Sequence, residues 1–392
     1  DERGLAHRRG RGQRGRALAR PGTHAEHAWM LTCGRARSPL IQPLLSARHF
    51  AISPTRRAHF RQTAPGYWSR RTITVMGSAD EVHVLQFTDL HLYADKDAKR
   101  RGIKPYRALE QILEQARQDF PQASAVLLTG DISQDDTKGS YVNLVDAMNE
   151  HFPSTNVYFC PGNHDQKVEL LTEHLQERQA AEGEEGDLQR IQGVGTEEGV
   201  GCFELSDKWS LVLLNSMREN DIRGEISEAT AKQLERTLAD IEQEPTGRHV
   251  LLALHHPPFP PKGDIPPWTG WCLEERDRLL DVIKRHPSVQ VVLTGHTHSE
   301  FTVEWEGRYF HGAPATCHQY CKDEVRPGAP DPAPVMFVKQ DTDSYPGYRY
   351  LSLLVSSEPT SASQLHTTSV HRVPIELDLD EDEVDGPESS QS

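Results

Sequence analysis

Short apolar segments alternate with helical patterns along residues 82–293, and this alternation limits the fold more than any other feature of the sequence. Segments such as Val82–Phe87, Ala125–Thr129 and His249–Leu254 are mainly apolar, which is typical of strands buried on both faces. Between them, apolar residues recur at helical spacing. Strands that alternate with helices in this way predict an α/β fold with a parallel sheet.

Helices and hairpins complete the expected organisation. Asp207 and the pair Glu306-Gly307 each lie between two runs of strand length, which predicts two antiparallel hairpins and therefore a second sheet. The segment Glu177–Asp187 is rich in Glu and Gly, and we expect it to be a solvated, mobile connector. The predicted helices are Tyr106–Phe120, Tyr141–His151, Glu228–Glu244 and Leu273–Arg285.

The two ends of the chain differ in composition from its centre. Residues 1–75 contain 15 arginines, no lysine and three acids, although the formal net charge of the whole chain is −15. This stretch fits an organelle transit peptide, a basic arm for nucleic acid, or translated sequence that precedes a start at Met76. We favour the third interpretation, because an arginine-only bias is typical of GC-rich codons. Residues 376–392 form an acidic tail that we expect to be disordered, which leaves 76–375 as the folded domain.

Composition also restricts the compartment and the partners. No run of 18 apolar residues occurs, which excludes a transmembrane helix, so we expect no membrane partner. The six cysteines are scattered along the chain, which favours a reducing compartment and a cytoplasmic location. Acids outnumber basic residues after residue 75, so we do not expect nucleic acid as a partner. The hairpins after Phe301 and the strand Tyr348–Val355 are candidate edges for a homodimer.

Polar residues that can bind metals follow five of the predicted strands. Ligands of α/β sheets bind outside the carboxyl ends of the strands, so we expect all five clusters to face one crevice. Each cluster alone is a weak signal, since Asp and Asn also cap helices, but five in succession are improbable as accidents. The clusters are Asp89-Leu90-His91, Gly130-Asp131, Gly162-Asn163-His164-Asp165, His255-His256 and Gly295-His296-Thr297-His298.

This ordered set resembles the signature of the calcineurin-like metallophosphoesterases, D-x-H, G-D, G-N-H-D, H and G-H-x-H, over about residues 80–375. The segments Thr129–Asp135 and Pro314–Gln319 are similar to those of bacterial class III cyclic-nucleotide phosphodiesterases of the CpdA type. The resemblance implies a four-layer α/β/β/α sandwich with two mixed sheets. It also implies a dinuclear-metal enzyme that hydrolyses 3′,5′-cyclic AMP to 5′-AMP by in-line attack of a bridging hydroxide, which lowers cellular cyclic AMP.

The resemblance assigns roles to individual side chains. Asp131 bridges two metal ions, since a carboxylate has lone pairs for both. His164 is the candidate general acid or transition-state stabiliser, and Asp165 is expected to orient its ring. Asp89, His91 and His298 complete one metal site, and Asn163, His255 and His296 complete the other. The residues implied to contact the substrate are His91, Asp131, Asn163, His164 and His298.

The identity of the metals and of one ligand rests on the same resemblance. Imidazole, carboxylate and amide donors suit iron, manganese or zinc, and the family implies two divalent ions, iron or manganese. We prefer His255 to His256, because the family ligand lies two residues before the proline.

Several alternatives stay open. The same chemistry could act on another diester, such as a glycerophosphodiester, or the chain could be a non-catalytic scaffold on this fold. A scaffold is expected to have lost ligands, and this sequence has lost none. The segment Cys317–Cys321 could hold zinc, but it lacks a second cysteine pair, which favours a loop beside the cleft. Trp268 and Trp271 either stack on a base or pack as a satellite core.

Overall fold

The computed structural model describes residues 81–182, 190–195, 199–261, 270–320, 345–355 and 365–375 of the chain. The predictions for residues 1–75 and 376–392 therefore lie outside the described residues. All described residues belong to one structural unit, which spans residues 70–392. None of the helices in these described ranges is long and apolar enough to cross a membrane.

The helices and strands follow the expected alternation. The helices are α1 Pro105–Asp119, α2 Lys138–His151, α3 Glu169–Glu182, α4 Glu228–Gln243 and α5 Asp277–Arg285. The strands are β1 Glu81–Phe87, β2 Ala125–Thr129, β3 Asn156–Cys160, β4 Ile191–Gly193, β5 Val200–Glu204, β6 Trp209–Leu214, β7 Gly224–Glu225, β8 His249–Ala253, β9 Leu273–Glu274, β10 Val289–Thr294, β11 Phe301–Trp305, β12 Arg308–Gly312, β13 Gly347–Leu354 and β14 His366–Arg372.

Two six-stranded mixed sheets form the centre of the molecule. The first has the strand order β14-β13-β1-β2-β3-β4, and the second has the order β11-β12-β10-β8-β6-β5. Strands β1 to β4 run parallel, as do β6, β8, β10 and β12, while the remaining neighbours are antiparallel. Both predicted hairpins are present, β5–β6 around Asp207 and β11–β12 at Glu306-Gly307.

The alternation of side chains along the strands produces the layers. In β1, Leu85 and Phe87 pack with α1 and α2 in one core, whereas Val82 and Val84 join the core that contains residues of both sheets. Strand β6 alternates in the same way, with Leu211 in the core between the sheets and Val212 and Leu214 packed against α4 and α5. The four-layer α/β/β/α arrangement with two mixed sheets is therefore confirmed.

Two sequence predictions about helices are wrong. The helix expected at Leu273–Arg285 begins only at Asp277, because Leu273 pairs with β7 and Glu275 has a left-handed φ of 47°, which interrupts the helical path. The connector expected at Glu177–Asp187 is helical as far as residue 182, and the rest of that segment lies outside the described residues. Helix α3 places Leu171 and Leu175, one turn apart, in the apolar core, and this burial stabilises it.

The dimer edge expected at Tyr348–Val355 is also wrong. Strand β13 is paired on both sides, with β1 and with β14, so its backbone groups are used within the first sheet. It therefore offers no free edge to a second chain.

One buried side chain joins the two sheets at the carboxyl ends of their strands. Gln86 in β1 donates from Nε2 to Oγ1 of Thr129 at 2.9 Å and to the carbonyl oxygen of Thr294 at 3.0 Å. Thr129 ends β2 in the first sheet, and Thr294 ends β10 in the second. The loops that follow these strands consequently meet in one place.

Candidate metal centre

The loops after the strands hold five of the predicted ligands in a left-handed backbone conformation, which non-glycine residues seldom adopt. The φ angles are 53° for Asp89, 49° for His91, 50° for Asp131, 67° for His296 and 46° for His298. Each such residue costs on the order of 1 kcal/mol or more, and strain of this kind clusters at functional sites. The surrounding structure therefore stabilises a backbone that turns these side chains toward each other.

Asp89, His91 and His298 form the first cluster. The Nε2 atom of His298 lies 3.2 Å from Oδ1 of Asp89 and 3.2 Å from Nε2 of His91. The Nδ1 atom of His298 faces the carbonyl oxygen of His318 at 2.6 Å, which fixes the ring and leaves Nε2 for a ligand. All three side chains are buried, and their donor atoms fit a single metal ion.

Asp131, His255 and His296 form the second cluster. The Nε2 atom of His255 lies 3.4 Å from Oδ1 of Asp131 and 3.2 Å from Nδ1 of His296. The other carboxylate oxygen of Asp131 lies 3.8 Å from Nε2 of His91, in the first cluster. Asp131 therefore lies between the two clusters, with one carboxylate oxygen facing each of them.

Asn163 contributes an oxygen atom that lacks a hydrogen bond. Within the described residues, its Oδ1 is buried and has no hydrogen-bond partner. An unpartnered buried amide oxygen costs about 1–3 kcal/mol, unless a ligand binds it. A neutral oxygen ligand beside Asp131 fits a divalent cation, so the residues present suit the two metal ions that the resemblance implies.

His256 differs from His255 in its partners. Its Nδ1 lies 2.9 Å from Oγ of Ser216, and that hydroxyl also accepts a hydrogen bond from the backbone N–H of His256 at 3.2 Å. Its ring still lies near His296, and the three histidines form a group whose nitrogens could hold a metal. Contact with Asp131 distinguishes His255 from its neighbour.

The loop after β3 is built around Asp165. Its carboxylate accepts hydrogen bonds from the backbone N–H groups of Ile132 at 3.1 Å, Ser133 at 2.9 Å and Gly162 at 2.9 Å. These contacts join the loop after β3 to the loop after β2. The expectation that Asp165 orients the ring of His164 is therefore wrong, because its oxygens bind the backbone of the two loops.

His164 nevertheless lies at the centre of the site. Its backbone N–H donates to Oδ1 of Asp131 at 3.0 Å, and its ring stands edge-on to the ring of His91 with centroids 5.0 Å apart. Together with Asp131 and His91 it forms a further group of closely spaced donor atoms. It is the only one of these three side chains that is partly exposed, so it can reach a bound substrate.

Burial and charge determine the protonation of the site. Burial opposes ionisation of Asp131, but the neighbouring His255 and His164 hold the pKa of its carboxyl well below the usual range. Burial lowers the pKa of His91 and of His296 well below the usual value, so both imidazoles are neutral and able to bind metal. Burial also opposes protonation of His255, yet the charge of Asp131 raises its pKa to about 9.

Three residues beside the site were not predicted as ligands or catalytic groups, and two of them come from the segment after β12. His318 is buried, with its ring centroid 4.5 Å from that of His298, and the ring of Tyr320 lies 4.4 Å from the same ring. Strand β12 is parallel to β10, so residues after its carboxyl end reach the same edge of the sheet. The rule that ligands bind outside the carboxyl ends of the strands could therefore have identified His318 and Tyr320. The third is Thr129, whose carbonyl oxygen lies 2.7 Å from Nδ1 of His255.

The remaining sequence predictions have mixed outcomes. Cys317 packs in a small apolar cluster with Ile103 and Ala108, while Cys321 lies outside the described residues. Trp268 also lies outside them. Trp271 is described, and its ring centroid is 5.1 Å from that of Tyr320 and 6.2 Å from that of His296. Trp271 thus lies at the site and not in a separate core.

The chain is similar to several known phosphoesterases. It is 28% identical over 303 residues to a 3′,5′-cyclic-nucleotide phosphodiesterase of Nostoc sp., with 76% of this chain and 95% of the relative covered. It is 29% identical over 253 residues to the 3′,5′-cyclic adenosine monophosphate phosphodiesterase CpdA of Escherichia coli K12, with coverage of 64% and 81%. A crystal structure of a dimetal phosphatase from Danio rerio is 18% identical with a TM-score of 0.45, and 60% of this chain and 88% of that chain are covered.

The pattern of one family extends over most of the described residues. Residues 82–300 match the family described as calcineurin-like phosphoesterase, and this range contains all seven predicted metal ligands. Since the match covers more than half of the chain, this protein belongs to the calcineurin-like phosphoesterase family.

Proposed function

We propose that this protein is a phosphodiesterase that hydrolyses 3′,5′-cyclic AMP to 5′-AMP. The observation that carries the proposal is the convergence of Asp131 with five further family ligands, from four strand ends in two sheets. The seventh, Asn163, has a buried Oδ1 without a partner among the described residues. The relatives named as cyclic-nucleotide phosphodiesterases support the choice of substrate.

The two clusters would each hold one divalent metal ion, with Asp131 as the bridging ligand. When bound, such ions polarise the phosphoryl oxygens and supply an activated water molecule near neutral pH. Iron or manganese suits the donor set of imidazoles, carboxylates and one amide, and zinc is the alternative. The side chains of the protein fix the geometry, because the carbonyl oxygens of Thr129 and His318 orient His255 and His298.

His164 is the residue that we assign to the leaving group. Hydrolysis to 5′-AMP breaks the bond between phosphorus and the 3′ oxygen, and that oxygen needs a proton as it leaves. Burial lowers the pKa of His164, so its protonated ring is a stronger acid than an exposed histidine. General acid catalysis of this kind contributes about 10²–10⁴-fold. Asp165 supports this role indirectly, by holding the loop that carries His164.

The aromatic side chains at the rim favour a nucleotide over a glycerophosphodiester. Trp271 and Tyr320 place two flat rings next to His296 and His298. A flat base can stack on such rings, whereas a glycerol or choline group has no π-face for stacking. The cytoplasm, where cyclic AMP acts as a signal, is the location that fits this activity.

A substrate panel tests the proposal. The full chain is stripped with EDTA, reloaded with Mn²⁺ or Fe²⁺, and given cyclic AMP, cyclic GMP, glycerophosphocholine or bis(p-nitrophenyl) phosphate, with products identified by chromatography. We expect metal-dependent formation of 5′-AMP with the highest kcat/KM in the panel. If the protein hydrolyses bis(p-nitrophenyl) phosphate but not cyclic AMP, the metal chemistry is retained and the nucleotide is rejected as the substrate. Activity that persists both after EDTA treatment and in the control variant Asn163→Ala would reject the metal chemistry as well as the nucleotide substrate.

A further inference from the structure

Arg100 occupies a rigid turn between β1 and α1, outside the family signature. The backbone N–H of Arg100 donates to the carbonyl oxygen of Ile103 at 2.7 Å, and the N–H of Ile103 donates back at 3.0 Å. Between them, Arg101 and Gly102 have left-handed φ angles of 54° and 75°, as a tight two-residue turn requires. The position of Arg100 is thus set by its own backbone.

This turn is attached to the segment that orients a predicted metal ligand. The buried side chain of Ile103 packs against Cys317. The next residue, His318, offers its carbonyl oxygen to Nδ1 of His298 at 2.6 Å. This packing fixes the turn relative to the metal centre. Arg100 is held next to the site by its backbone hydrogen bonds with Ile103 and by the packing of Ile103 on Cys317.

The guanidinium of Arg100 has an N–H donor that no described residue uses. It forms a side-chain hydrogen bond with Tyr93, which is half-buried. Its Nε atom is buried and has no hydrogen-bond partner among the described residues. A guanidinium carries five N–H donors in a planar fork that matches the oxygens of a phosphate. A buried donor without a partner is costly, which points to a ligand that binds it.

The charge of Arg100 reaches the reacting centre. Burial lowers the pKa values of His91, His164 and His318, and the charge of Arg100 lowers all three further. His91 and His164 flank Asp131, where the phosphate of a substrate would lie. The ring of His318, the residue after Cys317, lies 5.4 Å from the ring of His91, so the turn that carries Arg100 packs beside the site.

We propose that Arg100 is a substrate-binding residue that donates hydrogen bonds to the non-bridging oxygens of the phosphodiester. The diester carries one negative charge, and a second develops as water adds and the ester bond breaks. A fixed cation therefore binds the transition state more strongly than the ground state. This inference rests on the proposed phosphodiesterase activity, but it does not depend on which diester is the substrate.

The test compares Arg100→Gln with Arg101→Gln, which removes the same charge from the adjacent, exposed residue. Steady-state rates are measured on cyclic AMP and on bis(p-nitrophenyl) phosphate, together with calorimetric binding of inorganic phosphate to the Mn²⁺-loaded full chain. We expect Arg100→Gln to lower kcat by about 10²-fold on every substrate that the wild type hydrolyses and to weaken phosphate binding by about tenfold. Arg101→Gln should stay within about threefold of the wild type.

The metal content and the melting temperature of each variant separate this role from a structural one. Both quantities should match the wild type in Arg100→Gln, and Arg100→Lys should recover part of the loss. Equal effects of Arg100→Gln and Arg101→Gln, or unchanged phosphate binding in Arg100→Gln, would overturn the inference. If the wild type hydrolyses only the synthetic diester, the nucleotide proposal fails while the test of Arg100 still stands. If the wild type shows no turnover at all, phosphate binding alone tests the role of Arg100.

Discussion

The Nδ1 atom of His255 lies 2.7 Å from the carbonyl oxygen of Thr129, so a histidine of the second sheet is oriented by the last residue of β2 in the first. This hydrogen bond places a proton on Nδ1 and directs Nε2 toward Asp131 and His296. The adjacent His256 instead faces Ser216. Two neighbouring histidines in one sequence motif therefore have different surroundings.

Replacement of His255 and His256 one at a time should separate their roles. His255→Ala removes the contact with Asp131, so we expect loss of one metal ion per chain and a fall in kcat on the order of 10²-fold or more. His256→Ala should keep both ions. Metal analysis of dialysed protein measures the difference. Retention of two ions by His255→Ala, with loss of one by His256→Ala, would reverse the assignment.

Asn163 and His296 provide a second test of the same site. The buried Oδ1 of Asn163 has no partner among the described residues, and Nδ1 of His296 faces His255. Asn163→Ala and His296→Ala should each lower turnover by on the order of 10²-fold or more, because each removes one ligand. Circular dichroism should show an intact fold. Near-normal rates in either variant would reject the assignment of two metal ions.

Gly162 packs closely against Asp131, the predicted bridging ligand. A Cβ atom at this position would collide with the side chain and the backbone nitrogen of Asp131. We therefore expect Gly162→Ala to displace the carboxylate and to lower kcat by about 10²-fold, since displacements near 1 Å have effects of this size. Gly270→Ala is the matched control, because a Cβ atom there meets none of the described residues within 4 Å. Equal rates for the two variants would show that Asp131 tolerates the shift.

Much of this architecture could be predicted from the sequence, because the strand-end clusters and the apolar runs are local features. The Asp131 and His298 motifs were identified this way, and the structure brings them together. The start of α5 was missed, since pairing of Leu273 with a distant strand overrides its helical pattern. Likewise, the role of Asp165 depends on backbone N–H groups that approach only after folding, which no side-chain pattern encodes.

The surroundings of the ligands were less accessible to sequence analysis for the same reason. Thr129 orients His255 with its carbonyl oxygen, an atom that every residue has, so residue type gives no signal. Arg100 is placed by a turn that packs on Cys317, more than 200 positions away in the chain. Contacts of this kind depend on tertiary structure and become visible only when the sheets are assembled.

A pair of buried histidines joins the two sheets outside the predicted set of metal ligands. His311 in β12 places Nε2 3.0 Å from Nε2 of His366 in β14, and its Nδ1 lies 2.9 Å from Oγ1 of Thr302. Burial lowers the pKa of His311 to about 2, and the charges of Arg349 and His366 contribute to this shift. The folded protein therefore keeps His311 neutral over the whole physiological range.

Acid should consequently destabilise the protein through His311. The unfolded chain binds a proton at this residue below its ordinary pKa of about 6.5, whereas the folded chain does not. The stabilisation is thus complete above pH 6.5 and is lost as the pH falls toward 2, with about 2 kcal/mol lost between pH 7 and pH 5. Denaturant unfolding in EDTA measures this change without metal binding. The variant His311→Gln should lose less stability over this interval than the wild type. Identical pH dependence in the two proteins would show that His311 is not the titrating group.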